Sequence, residues 1–268
     1  PALQCTNIYP VMYAKGFYDG LKAEGEEEVM SLVRCAWAGS QKYGVLTWSG
    51  DIHSCFRAMK EQIQAGLNMG MAGIPWWTSD IGGFIGGDIS DPYFKELVVR
   101  WFAWGAFCPV FRMHGERSPW YEREQEFINN VRQLTSGQDN EVWSFGEENY
   151  EIMKKYLFVR EKMRPYVREC MKKTSETGEP VMRPLFFDFP EDKRAWEVED
   201  AYMFGRSLLV APVTDAGVSS RKVYLPEGSK WTECSTGKVW EGGQEIEANA
   251  PIDIIPVFVR DDEIENVF

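Results

Sequence analysis

Five polar residues, Arg34, Asp51, Asp80, Arg112 and His114, fall where short apolar runs end, and the aromatics Trp37, Trp48, Trp76, Trp77 and Phe84 are interleaved with them. Aromatic faces suit the apolar side of a sugar ring while charged groups take its hydroxyls, so the set predicts a carbohydrate site. Carboxylates fit the matching chemistry. Cleaving a glycosidic bond through an oxocarbenium-like state needs one acid to protonate the leaving oxygen and one carboxylate at the anomeric carbon. Asp51, in the run WSGD, is the candidate acid. Each residue also has a plainer reading. Asp51 can be a turn former capping the next helix, Asp80 a turn aspartate ahead of IGGF, and Arg112 and His114 members of a buried ion-pair network with Glu116. Strand alternation predicts that one of Trp76 and Trp77 faces the core and the other the mouth.

Other chemistries start weaker. Two histidines, His53 and His114, and six scattered cysteines without a C-x-x-C pair give no zinc-ligand spacing, so no metal is expected. There is no G-x-S-x-G, no P-loop and no G-x-G-x-x-G, and GGFIGGD lacks the nucleotide spacing, so no cofactor is expected. With 29 Lys and Arg against 41 Asp and Glu, the net charge of -12 disfavours nucleic acid and anionic membrane surfaces as partners. No run approaches the ~18 apolar residues of a membrane helix, and the dispersed cysteines suggest reduced thiols and a cytoplasmic setting.

The elements that must position these residues alternate. An acidic, helix-favouring run over 20–33 passes into the apolar VMSLV, and VRCAWAG is short and β-leaning. YGVLTWSGD reads as a buried strand ending in a polar turn, FRAMKEQIQAGLNMG as an amphipathic helix, and MAGIPWWTSDIGGF as strand and turn. DPYFKELVVRWFAWGAF reads as a helix N-capped by Asp91, and CPVFRMHG as a further strand. Repeated β-turn-α units imply an α/β fold with a parallel sheet, doubly wound or closed into a barrel whose strand-end residues converge on one mouth. About four units are visible where a full barrel needs eight strands, so this chain is expected to carry half a barrel. Its opening stretch, PALQCTNIYPVMYAKGFYDG, reads as mid-domain loop, a hint that a longer protein has been cut or split.

A charged helical run follows over 147–174, and beyond Gly178 short β-rich segments separated by Gly, Pro and Asp predict an antiparallel β-sandwich. The division is expected at 1–177 for the barrel half and 178–268 for the sandwich. Between them, ERSPWYEREQEFINNVRQLTSGQDNEVWSF is long, polar and aromatic, either a surface loop or a rim of the pocket.

Arg34, WSGD at 48–51, AGIPWWTSDIGGF at 72–84 and FCPVFRMHG at 107–115 resemble glycoside hydrolase family 31 in order and spacing, and the similarity runs over nearly the whole chain. The resemblance implies the second half of a (β/α)8 TIM barrel followed by that family's proximal C-terminal sandwich. It implies a retaining α-glycosidase working by double displacement. Asp51 then matches the acid/base, Trp48 and Phe84 the aromatic walls of the subsite for the non-reducing sugar, Arg34 and His114 groups that bind its hydroxyls, and Asp80 a buried acid supporting them. The family's nucleophilic aspartate lies ahead of Pro1, and Asp19, in YDG, does not replace it. The expected partners are an oligosaccharide or glycoside and the N-terminal portion of the same enzyme, with a homo-oligomer open. The expected reaction is exo-hydrolysis of terminal α-linked glucose or xylose, and this chain alone is expected to be inactive. The competing readings are a non-catalytic carbohydrate-binding fragment and a partner-dependent half of a split enzyme.

Overall fold

Three short strands, β1 (Ser31–Val33), β2 (Val45–Trp48) and β3 (Trp77–Thr78), lie parallel and side by side in a computed structural model that describes residues 2–119, 127–128, 131–132, 137–265 and 267–268. They pair in sequence order, Leu32 opposite Leu46 and Trp48 opposite Thr78. Between β2 and β3 the chain crosses over through α3 (Phe56–Met71), and α4 (Pro92–Gly105) follows β3. Asp91 caps α4, its side chain accepting from the Tyr93 N–H at 2.9 Å, and Pro92 follows at a position where no intrahelical donor is lost.

Two segments depart from the sequence reading. The opening stretch is helical: α1 (Ala2–Cys5) is followed by α2 (Tyr9–Ala23), and the acidic run behind it lies outside the helix. Tyr9, Tyr13 and Phe17, spaced by four, stack along one side of α2 with ring centroids 5.9 and 4.9 Å apart, which offsets the low helix propensity of Gly16 and Gly20. Gly25, at φ 96°, turns the chain out of the helix before the glutamates can join it. Val11 and Ala14 are buried, whereas Tyr9, Met12, Tyr13 and Phe17 are exposed.

The second departure is the expected strand at 108–115. It runs alongside β3 but builds no ladder. Val110 N–H donates to Trp77 O at 3.3 Å, and Thr78 Oγ1 donates to Val110 O at 3.0 Å. Pro109 has no N–H to give, and the carbonyls of Ala106, Cys108 and Pro109 accept instead from the Arg160 guanidinium at 2.8, 2.9 and 2.9 Å.

The antiparallel pair of β4 (Phe127–Ile128) and β5 (Val131–Arg132) falls within the long polar stretch; residues 120–126, 129–130 and 133–136 of that stretch lie outside the described residues, as does the choice between surface loop and pocket rim. The charged helical run is two helices, α5 (Glu147–Lys162) and α6 (Arg164–Thr177), separated at Met163 because Pro165 can begin a helix but not continue one. Gly178, at φ 80°, ends α6 in a left-handed cap.

Beyond it the chain is antiparallel. β6 (Met182–Pro184), the short α7 (Leu185–Asp188), β7 (Tyr202–Phe204), β8 (Leu208–Val210), β9 (Ser220–Leu225), β10 (Lys230–Glu233), β11 (Val239–Glu241), β12 (Gln244–Asn249) and β13 (Val257–Arg260) form a six-stranded sheet, β11-β10-β13-β8-β7-β6, and a ribbon of β9 with β12. Strands β7, β8 and β13 of the sheet are buried on both faces. Tyr202, Phe204, Leu208, Val210, Val257 and Val259 join the core of α3, α4 and α5, while their alternates Met203, Leu209 and Phe258 pack with Val223, Leu225, Ile246 and Ala248 of the ribbon. A partial parallel barrel is thus followed by a two-layer antiparallel domain.

A buried guanidinium also ties the barrel half to the C-terminal domain. Arg100 of α4, 4% exposed, donates to the carbonyls of Val218, Ala250 and Pro251 at 2.8, 3.0 and 2.8 Å. Arg100→Ala removes the buried guanidinium that serves these three carbonyls and is expected to lower unfolding stability by about 3 kcal/mol in a urea titration, against less than about 0.5 kcal/mol for the exposed Lys193→Ala. Asp192 accepts from Tyr224 Oη at 2.7 Å and from the N–H groups of Glu227 and Arg194 at 3.0 Å each. Burial pushes its carboxyl up, but these donors outweigh burial and hold it below the usual range. A depressed folded pKa gives stability that is present above the unfolded value near ~4 and lost as pH falls through the folded one. The stability gap between wild type and Asp192→Ala is therefore expected to be full at pH 7 and to narrow below about pH 4, followed by thermal melts across that range.

Candidate active site

The ends of the three parallel strands bring most of the expected polar residues together. Arg34 directly follows β1, and its Nη2 donates to Asp51 Oδ2 at 2.7 Å, with the guanidinium carbon 6.0 Å from the Trp48 ring centroid. Trp48 is the last residue of β2 and half-buried, whereas the Asp51 carboxylate is 44% exposed and so open to a ligand. The reading of Asp51 as a helix cap does not hold. The N-cap of α3 is Cys55, which makes no side-chain cap bond, and the Asp51 carboxylate turns to Arg34 instead.

Asp80 lies two residues beyond β3 and is fully buried. Its Oδ1 accepts from Arg112 Nη1, its N–H donates to Ser49 Oγ at 3.1 Å, and its Oδ2 has no partner among the described residues. Burial raises the Asp80 carboxyl above the ordinary carboxylate range, the Arg112 guanidinium opposes this, and the nearby Asp51 charge adds to the rise. Arg112 therefore pairs with Asp80, not with Glu116, whose N–H donates to Phe84 O at 2.9 Å. His114 is exposed and lies against Phe84, ring centroids 5.4 Å apart and 33° from parallel.

The loop 80–87 that carries Phe84 is held by main-chain and arginine contacts. Phe84 and Ile85 N–H both donate to Ile52 O, at 2.8 and 2.9 Å, which seats this loop on the one following β2. Gly83, at φ 78°, sits so close that a Cβ would lie 2.7 Å from His53 O and from the Ser54 backbone. Arg117, 0% exposed, donates to Ile81 O at 3.0 Å, to Gly83 O at 2.9 Å and from its Nε–H to Asn140 Oδ1 at 2.7 Å, and lies 4.9 Å from the Phe94 ring centroid. Burial lowers its pKa to about 10.

Two expected members fall elsewhere. Trp77 is buried against Trp104, 6.0 Å between centroids, and belongs to the core, while Trp76 beside it is half-buried. Trp37 is 48% exposed, and no side-chain contact joins it to the cluster among the described residues. Sequence reasoning missed Ser49, Ser79, which accepts from Trp101 Nε1 at 2.9 Å, and Arg117. No spacing rule marks an arginine that works through loop carbonyls. Among the described residues no three His, Cys, Asp or Glu side chains converge on a metal position, and no helix is long and apolar enough to cross a membrane.

Residues 2–169 match the glycosyl hydrolases family 31 TIM-barrel domain, and residues 178–264 match the family 31 C-terminal domain. The chain belongs to glycoside hydrolase family 31. An α-xylosidase of Saccharolobus solfataricus is 36% identical over 254 residues, 95% of this chain but 32% of that protein. The crystal structure of a family 31 α-xylosidase from a soil metagenome, complexed with xylose, superposes with a TM-score of 0.95 at 56% identity, covering 100% of this chain and 39% of that one. A Flavobacterium johnsoniae family 31 dextranase complexed with glucose gives a TM-score of 0.84 at 32% identity, covering 97% of this chain and 30% of that one. This chain thus spans about a third of the length of these family 31 relatives.

The Asp80 environment gives a signed test. Arg112→Met removes the group that opposes burial, so the Asp80 carboxyl is expected to titrate higher still in side-chain 13C NMR, and Asp51→Asn, which removes a neighbouring negative charge, is expected to bring it down. A raised folded pKa opposes folding once the pH exceeds the unfolded value. Arg112→Met is therefore expected to cost about 3 kcal/mol at pH 7 and less near pH 4, where Asp80 takes up a proton.

Proposed function

We propose that this chain supplies the acid/base side of a retaining α-glycosidase site that removes terminal α-linked glucose or xylose. The observation that carries the reading is the exposed Asp51 carboxylate, oriented by Arg34 at 2.7 Å above the Trp48 ring, at the same strand ends as the buried Asp80–Arg112 pair. Asp51 protonates the departing glycosidic oxygen and, in the second step, takes the proton of the attacking water. Trp48 and Phe84 form apolar walls for the sugar ring, Arg34 and His114 bind its hydroxyls, and the unpartnered Asp80 Oδ2 accepts from a further hydroxyl. On this reading the nucleophilic carboxylate and the rest of the barrel come from a part of the enzyme that these 268 residues do not include, and the proposed division between barrel and sandwich is at 177/178. Its relatives carry both α-xylosidase and glucosidase names, which supports these two sugars as the candidates.

Two comparisons test this. Hydrolysis of p-nitrophenyl α-xyloside and α-glucoside is expected from a protein in which the 268 residues are joined to the preceding barrel half, with no turnover by the 268 residues alone. In the active form, Asp51→Ala is expected to lower kcat/KM by about 10²- to 10⁴-fold. Full activity in that variant would remove Asp51 from the mechanism, and turnover by the isolated chain would place the nucleophile within it.

A further inference from the structure

Away from the strand ends, a cleft of about 270 Å³ opens between the second half of α3 and the segments flanking α7, lined by Gln64, Leu67, Asn68, Phe186, Trp196 and Glu199 among others. We propose that it is a second carbohydrate-binding site, with the Trp196 indole as platform for one sugar of an oligosaccharide. Trp196 is 57% exposed, large for a tryptophan, and it is held rigidly. Its ring lies on Phe186 with centroids 4.4 Å apart and planes 9° from parallel, and its Nε1–H donates to Pro190 O at 2.9 Å. A platform fixed in this way loses little side-chain freedom when a ligand lands on it.

The rim selects the ligand. Gln64 Nε2 donates to Glu199 Oε2 at 3.1 Å, leaving the amide oxygen and the other carboxylate oxygen as acceptors. Asn68, exposed one helical turn further along α3, makes no side-chain hydrogen bond among the described residues and offers both donor and acceptor. Among the described residues no Lys or Arg lines the cleft, which disfavours phosphate and carboxylate ligands, and amides beside a flat apolar ring suit hydroxyls more than a wholly apolar ligand. The cleft residues of α3 begin at Gln64, eight residues beyond the helix start at Phe56 and so roughly 12 Å along its axis, and Asp51 precedes that start. The site is thus separate from the strand-end cluster and does not rest on Asp51 acting as an acid.

Xyloglucan heptasaccharide and maltoheptaose, titrated into the protein by calorimetry and by NMR of the indole N–H signals, test the proposal. In a Trp48→Ala variant, which disables the strand-end site, at least one of the two is expected still to bind and to shift the Trp196 indole signal, assigned by its loss in Trp196→Phe. Trp196→Ala in that background is expected to weaken this binding about 10-fold or more, with Asn68→Ala weakening it by less. Because Trp196 lies at the surface, a melting temperature near that of the parent separates lost binding from lost folding. Absence of binding by both oligosaccharides in the Trp48→Ala background, or unchanged affinity in a folded Trp196→Ala variant, overturns the proposal.

Discussion

Buried main-chain carbonyls that no sheet can satisfy are the constraint on which this structure depends. The parallel strands are two to four residues long, so the segments that carry the chemistry leave the ladder almost at once. Their carbonyls are nevertheless out of water and must find donors. Two interior arginines supply them, Arg117 to Ile81 and Gly83 and Arg160 to Ala106, Cys108 and Pro109, and Arg100 serves Val218, Ala250 and Pro251 of the C-terminal domain in the same way. A guanidinium suits this task because its fork of donors reaches several carbonyls at once and keeps its charge under desolvation that would neutralise a lysine.

The strand-end cluster inherits its shape from this arrangement. Arg117 fixes the loop on which Phe84 sits, and Arg160 fixes the entry to the segment bearing Arg112 and His114. Arg112 then meets Asp80, and the exposed Asp51 pairs with Arg34. One carboxylate is thus dry and paired while its neighbour is wet and accessible. Two acids on adjacent strand ends take on different properties through their surroundings, with no difference in side-chain chemistry between them.

Much of this was legible in the sequence where period and punctuation agree. The α3 and α4 patterns, the Asp91 cap, the change of texture after Gly178 and the clustering of Arg34, Trp48, Asp51, Asp80, Phe84 and His114 at strand ends follow from alternation, capping chemistry and the run of motifs. What was misread has physical causes. α2 contains two glycines, and the cooperative stacking of Tyr9, Tyr13 and Phe17 that sustains it is invisible to residue-by-residue propensity. CPVFRMHG has strand composition, but Pro109 and the Arg160 guanidinium take its main chain out of the ladder. The pairing of Arg112 with Asp80 is a contact across 32 residues that local spacing cannot announce.

The double burial within the six-stranded sheet has a consequence for the portability of the C-terminal domain. Along β7, β8 and β13 neighbouring positions answer to different cores: Tyr202, Phe204, Leu208, Val210, Val257 and Val259 to the barrel helices, Met203, Leu209 and Phe258 to the ribbon. Excised, the domain would expose a broad aromatic and aliphatic sheet face, which is the profile of an aggregating protein, not of an independent binding module. The seam between the two halves is a shared core, and in this chain the C-terminal domain keeps its sheet face covered only together with the helices that lie on it.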